Sequence, residues 1–307
     1  MIVTREDLES SLAAVVRNVR NPEAGLFGPG SMVWRLGGDL GVFLGGGRAA
    51  LLQLAHPMVA HAIDHHSRTR ADVVGRFQRT FRHIFAMTFG ELDDALRAAR
   101  RVHHIHARVH GEISESIGGF PAGTRYHAND AHALRWVHAT LVDTTIAVRK
   151  RLGARLSSGD LDRYTVEMNR FAALFGIPDA LLPASWADHE AYMARMIPHL
   201  AVAPCAREMA AFLIGRSVPV QPAQGRVTEA LAAAMLPRPL AVQFGLRPAG
   251  AIVEAGFAIG APIYRRVPRW VIAIPAHAAA NRRLAGRPPG RFTAWLEKKL
   301  FEPAAGP

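Results

Sequence analysis

The sequence predicts an all-α fold, a single globular helical domain over residues 1–307. Three observations carry this expectation. Apolar residues recur at three- and four-residue steps through most of the chain, and no convincing period-two stretch occurs. Ala, Leu and Arg abound while the strand formers Thr, Tyr and Ile are sparse. Half of the 307 residues are hydrophobic and a fifth are charged, which is enough apolar material for a large core. No internal repeat divides the chain.

The first helix is expected over Arg5–Val19, with Thr4 as N-cap. Turns follow at Asn21-Pro22 and Gly28-Pro29-Gly30. Gly45-Gly46-Gly47 then leads into Arg48–Ser67, apolar on nearly every side and therefore buried, with Pro57 kinking or restarting it. A third block covers Ala71–Phe89 and ends at Gly90. Glu91–Ile113 is acidic in its first turn and basic afterwards, the order that suits the helix dipole. Its stripe of Leu92, Leu96, Ala99, Val102 and His106 puts His106 on the inward face. Beyond the loop GGFPAGTRYHAND, Asp130 caps a helix over Ala131–Leu152, and another runs from Ser158 to a stop at Gly176. Further helices are expected at Ala187–Ile197, Pro204–Ile214, Val227–Ala234 and Ala276–Leu284. The most apolar region, Ala249–Ala280, is broken by Pro262, Pro268 and Pro275, which makes residues 249–307 a candidate C-terminal cover or tail.

Charge and cysteine content narrow the functional class. The net charge is +12 and comes from arginine, for the only lysines are Lys150, Lys298 and Lys299. The arginines are scattered through amphipathic helices with no basic block interleaved with aromatics, so no nucleic-acid partner is expected. Cys205 is the only cysteine, which excludes an intramolecular disulfide and a cysteine-built zinc cage and suits a reducing cytoplasm. The acidic, polar N-terminus has no secretory pattern, and no run of about 18 apolar residues is free of charges or prolines. The expectation is a cytoplasmic protein without a transmembrane segment. The apolar, arginine-rich region around Trp270 leaves room for peripheral membrane contact.

The chemistry lies in the 15 histidines. They gather as His56, His61, His65 and His66, then His103, His104, His106 and His110, then His127, His132 and His138. Any one alone is ordinarily a surface or hydrogen-bonded core residue, but three clusters on successive apolar helices point to a cofactor. No H-E-x-x-H, no paired Glu-x-x-His and no G-x-S-x-G occurs, and no Gly-Lys-Ser/Thr follows the glycine run. What remains is an apolar helical pocket, one inward histidine and several arginines, which suits a haem with its two propionates.

The runs GGGRAALLQLAHPMVAHAIDHHS, RFQRT at Arg76–Thr80, VHHIHARVHG at Val102–Gly111 and YHANDAHALRWVHATLVDT at Tyr126–Thr144 resemble the latex clearing protein / MpaB-type oxygenase family. EMNRFAALFGIP and LPASWADHEAYMARMI continue it, so the resemblance covers residues 34–199. It implies a globin-like helical core holding haem b, and oxidative cleavage of isoprenoid double bonds. It places the axial iron ligand at His106, in HARV, and an Arg-x-x-x-Thr element beside the haem at Arg76 and Thr80. Where the rubber-cleaving enzymes carry a lysine before that threonine, this chain has Arg79, which is not a usual iron ligand. Where they flank the axial histidine with arginines, it has His103 and His110. Arg76, Arg79 and Thr80 are thus the candidate catalytic residues, and Arg76 doubles as a propionate partner. His138 and His56 are the further candidates for cofactor contact.

The reading that follows is a haem b-dependent oxygenase using O2 on an apolar, unsaturated and plausibly isoprenoid molecule. A haem-binding sensor or carrier without turnover stands beside it, as does a binding module that kept the fold and lost the cofactor.

Overall fold

Side-chain caps set where the helices begin. The Asp7 amide donates to Thr4 Oγ1 at 3.1 Å while the Thr4 amide donates to the Asp7 carboxylate at 2.9 Å, a reciprocal box that starts α1 (Arg5–Asn18). The computed structural model describes residues 1–66, 73–214, 222–288, 290 and 295, with backbone alone for 73, 74, 76, 77 and 222–224. After α1 come α2 (Met32–Gly37), α3 (Gly46–Leu54), α4 (Pro57–His66), α5 (Val73–Phe89) and α6 (Leu92–His106). A two-stranded antiparallel sheet, β1 (His110–Glu112) and β2 (Arg125–His127), follows. The rest is helical: α7 (Ala131–Arg151), α8 (Ser158–Ala173), α9 (Trp186–Met196), α10 (Pro204–Leu213), α11 (Pro222–Met235), α12 (Arg238–Gln243), α13 (Ala251–Arg266), α14 (Arg269–Ile272) and α15 (Pro275–Leu284). The all-α expectation holds.

The axis of the fold is α7. Asp130 caps it by accepting the His132 and Ala133 amides at 3.0 Å each, and its apolar residues do not keep to one stripe. One side, with Val142 and Ile146, closes a core with Leu8 and Leu12 of α1, Leu96 of α6 and Phe171 of α8. The other, with Trp136 and Ala139, closes a second core with Leu51 and Leu52 of α3, Met209 of α10 and Leu240 of α12. The Trp136 indole N–H donates to the Leu52 carbonyl at 2.9 Å, so this aromatic enters the core with its polar edge satisfied.

Two expectations from the sequence fail. The helix expected over Glu91–Ile113 ends at His106, and its last residues become β1, in a chain for which no strand was expected. In that strand pair Gly111 lies opposite Tyr126, and a Cβ there would sit 2.6 Å from the Tyr126 hydroxyl, so glycine suits the close approach. Secondly, α13 runs through Pro262, where a break was expected. Proline deprives the Ala258 carbonyl of its amide partner, but Ala258 faces solvent, where water replaces that bond. As expected, Pro57 separates α3 from α4.

The C-terminal helices are fastened to the core by a buried ion pair. Arg149 of α7 donates to both Asp39 carboxylate oxygens at 2.8 and 2.9 Å and, through Nε, to the Leu36 carbonyl at 2.8 Å. The Tyr264 hydroxyl of α13 donates to the same carboxylate, and the Gly41 amide does so at 3.0 Å. Beyond it, the Ile274 amide donates to the Gly38 carbonyl at 3.0 Å, and Ile274 and Ala280 are wholly buried against Trp34, Phe85 and Phe89. This part of the candidate cover therefore completes the core.

Arg149→Ala leaves Asp39 buried without its counter-charge, and urea unfolding should show a loss of about 3–5 kcal/mol. A chain cut before Ala249 should be recovered insoluble, because Trp34 and Phe89 lose their covering. A soluble, cooperatively folding truncation would contradict this.

Burial pushes the imidazoles of His138 and His277 down to about 4, the latter also facing Arg269. Both are neutral in the fold, whereas the unfolded chain binds their protons below about pH 6.5. The unfolded state thus holds more protons between pH 6.5 and 4, and stability falls as the pH drops through that window. Urea midpoints measured from pH 7 to 4.5 should decline below 6.5, and His277→Phe should make the decline shallower. Midpoints that stay level throughout would show that these rings are not held neutral.

Candidate functional site

The C-terminal ends of α4 and α6 meet the β-hairpin, and the histidine clusters meet there with them. Most of these rings are committed. His61 bonds the Pro57 carbonyl at 2.9 Å and the Glu115 carboxylate at 3.2 Å. His65 bonds the Tyr126 hydroxyl at 2.8 Å, and His66 bonds the His110 carbonyl at 3.0 Å. His110 stacks on His127 across the strand pair, with centroids 6.0 Å apart. His103 donates to the Val3 carbonyl at 3.1 Å.

His106 differs. It is the last residue of α6, and its Nδ1 is out of solvent with no hydrogen-bond partner. Burial first, and then the neighbouring His103 and His127, push its pKa down to about 4; a side-chain hydrogen bond with Asn129 works the other way. The ring is therefore neutral at physiological pH and keeps a lone pair to offer. Asn129, 2% exposed, ties this corner together. Its side-chain amide donates to the His103 carbonyl at 3.2 Å, its backbone amide to His127 Nδ1 at 3.0 Å, and its carbonyl accepts from Val3 at 2.9 Å.

His56, at the elbow between α3 and α4, is the second such ring. Its Nδ1 is buried and unpaired, its face lies 5.5 Å from the Phe120 ring, and burial holds it at about 4 against the opposing field of Asp130. An unsatisfied buried polar group costs about 1–3 kcal/mol. Histidine is the commonest metal ligand, and three histidine nitrogens are of this kind: His56 Nδ1, His106 Nδ1 and His189 Nε2, the last with the Asp143 carboxylate 3.5 Å away.

The other candidates from the sequence fall elsewhere. His138 does not join this corner: its Nε2 donates to the Met168 carbonyl at 2.9 Å inside the α7–α8 interface, where it serves as a satisfied core histidine. His104, two residues from His106, is exposed and accepts from Arg108 at 2.7 Å. Arg79 and Thr80 are solvent-exposed on α5, which packs along α6; the side chain of Arg76 lies outside the described residues. Among the described residues no three His, Cys, Asp or Glu side chains converge as a protein-built metal site requires.

Sequence reasoning missed Asn129 and a buried network on the far side of α3. Arg48 pairs with Asp143 and donates at 2.7 Å to Thr144 and to the Met235 carbonyl, while His189 lies 3.5 Å from the same carboxylate. The signal was available: one charge opening an otherwise apolar helix must find an opposite charge inside. Asp143 reads from sequence as a packing or capping residue, whereas it is that partner.

The family described as "ER-bound oxygenase mpaB/B'/Rubber oxygenase, catalytic domain" matches residues 34–273. The match runs from α2 to just past α14 and so takes in His56, His106 and the α5 segment. No curated protein and no solved structure matches the chain.

Proposed function

The chain belongs to the mpaB/rubber oxygenase catalytic-domain family, and from that premise we propose a haem b-dependent oxygenase acting on an apolar, unsaturated small molecule, with His106 as axial iron ligand. Membership makes the chain an oxygenase; cofactor, substrate class and residue roles are the reading offered here. The observation that carries it is the neutral ring of His106, whose Nδ1 is out of solvent and without a hydrogen-bond partner. The residues present fit the group. A haem iron asks the protein for one or two axial donors rather than a cage, and the unpaired nitrogens of His106 and His56 supply such donors. Bound there, the cofactor supplies the one-electron chemistry that dioxygen requires and side chains lack.

The chain's own residues do the rest. Asn129 orients the His106 ring and favours one tautomer, as partners of ligating histidines do. Arg76 and Arg79, three apart on α5, are assigned to the propionates, and the exposed position of Arg79 suits carboxylates lying at the solvent edge. Thr80, four residues from Arg76 and hence on the same side of the helix, offers a hydroxyl beside them. His56 is assigned to the cofactor's surroundings, and His138 is left out because its bond to Met168 is internal. The apolar residues of α3 and α4 flank His56 on both sides in the chain, which favours a lipophilic substrate over a polar one.

Protein supplied with haem during expression should carry about one haem b per chain, released by acid acetone because no C-x-x-C-H is present to attach it. A pyridine haemochrome assay measures this, and a haem-free protein that binds zinc instead would overturn the reading.

His106→Ala should lose most of the haem or shift its absorption spectrum strongly, while His104→Ala keeps both. Equal haem content in the two variants would move the axial ligand elsewhere. Thr80→Ala should retain haem and lose most of its turnover, read as oxygen uptake with a lipophilic alkene. Unchanged turnover would leave Thr80 without a role.

A further inference from the structure

The helix α13 is apolar on two sides. Its inward side bears Phe257, which packs under the Arg151 guanidinium at 5.2 Å, and Tyr264, bonded to Asp39. Its outward side carries Ile252, Ile259 and Ile263, which are 88%, 67% and 59% exposed. At about 100° per residue these three lie within about 40° of one another, a continuous stripe along the helix. Immediately beyond, α14 adds Trp270, 82% exposed, and Val271, 50% exposed. A helix on a water-facing surface ordinarily turns charge outward. This one turns isoleucine outward.

Its charges stand at one end and are of one sign. Arg266 and Arg269 are exposed at the end of the stripe, and among the described residues each hydrogen-bonds a backbone carbonyl, of Pro262 and Arg35, at 3.4–3.5 Å, whereas Arg265 lies about 140° round the helix and reaches the Gly153 carbonyl. The only acid on the two helices, Glu254, is taken by Arg151. A second copy of the chain pairing through this face would bring no free carboxylate to these arginines. Lipid phosphates would. An apolar stripe flanked by arginines and a tryptophan is the composition of a helix that lies in a bilayer's headgroup region, with its cations at the phosphates. No helix among the described residues is long and apolar enough to cross a membrane, so the contact is one of lying on the surface.

We propose that the exposed face of α13 and α14 docks on an anionic lipid bilayer, with Ile252, Ile259, Ile263 and Trp270 at the boundary of headgroups and acyl chains and Arg266 and Arg269 on the phosphates. The docking is independent of cofactor and turnover.

Flotation of the full chain with vesicles tests it. The protein should float with phosphatidylcholine vesicles containing phosphatidylglycerol, remain behind with phosphatidylcholine alone, and detach as salt is raised. The double variant Ile259→Glu/Trp270→Glu should bind at least about tenfold more weakly, as should Arg266→Glu/Arg269→Glu, with thermal melting unchanged. Val166→Glu, at an exposed apolar position on α8, should float like the wild type. Should the double variant melt early, Ile252→Glu, at the most exposed of these positions, carries the same expectation. The proposal falls if the wild type floats with neither vesicle, or if the isoleucine and tryptophan variants float as well as the wild type, which would reduce the attraction to diffuse net charge. It falls equally if ultracentrifugation finds a dimer that these variants dissolve, for the face would then join two copies.

Discussion

A buried guanidinium must find its counter-charge inside the protein, because taking either partner out of water alone costs several kcal/mol. Arg149 meets that demand with Asp39, and three parts of the chain are held by the outcome. The Leu36 carbonyl accepts from the guanidinium, the turn after Asp39 folds its Gly41 amide onto the carboxylate, and Tyr264 brings α13 to the same oxygen. The strand-like contact of Ile274 with Gly38 follows from that anchorage, and with it the burial of α15 on Trp34 and Phe89. The long α7, buried on opposite sides, carries this pair at its C-terminal end and Asp130 at its N-terminal end, so both ends of the bundle are set by charge and its middle by packing.

The same requirement sorts the histidines. A buried imidazole nitrogen needs a partner, and His61, His65, His103 and His138 each have one within the protein. His56 Nδ1 and His106 Nδ1 do not, and His189 Nε2 has only the Asp143 carboxylate at 3.5 Å. The distinction is one of local geometry: α6 stops at His106, the residues from His110 pair as a strand with β2, and the ring is left at a helix end with Asn129 beside it. An arrangement that leaves nitrogen lone pairs unspent is costly for folding alone, and it is the feature on which the proposed cofactor assignment rests.

The proposed docking face belongs to a part of the fold fastened to the same core. The inner side of α13 is committed to Arg151 and Asp39, so its outer side is held at a fixed angle to the bundle. The exposed isoleucines are thus displayed by the ion pair rather than by a loose tail.

The sequence by itself determined the helical class, the caps at Thr4 and Asp130, the division at Pro57, the inward stripe ending on His106 and the family to which the chain belongs. These are local matters, settled by spacing, by backbone chemistry within a few residues and by runs of motif. It could not show that Glu91–Ile113 would break after His106, because the strand pairing that follows joins Gly111 to Tyr126, fifteen positions beyond it. Nor could it separate His138 from His106, since both lie on apolar helical faces and only the approach of the Met168 carbonyl spends one ring and not the other. Arg48 with Asp143, and Arg149 with Asp39, are pairs about a hundred residues apart in the chain, and periodicity carries no information at that range. Tertiary structure decided them because a buried charge or donor is satisfied by whatever the packing brings within reach.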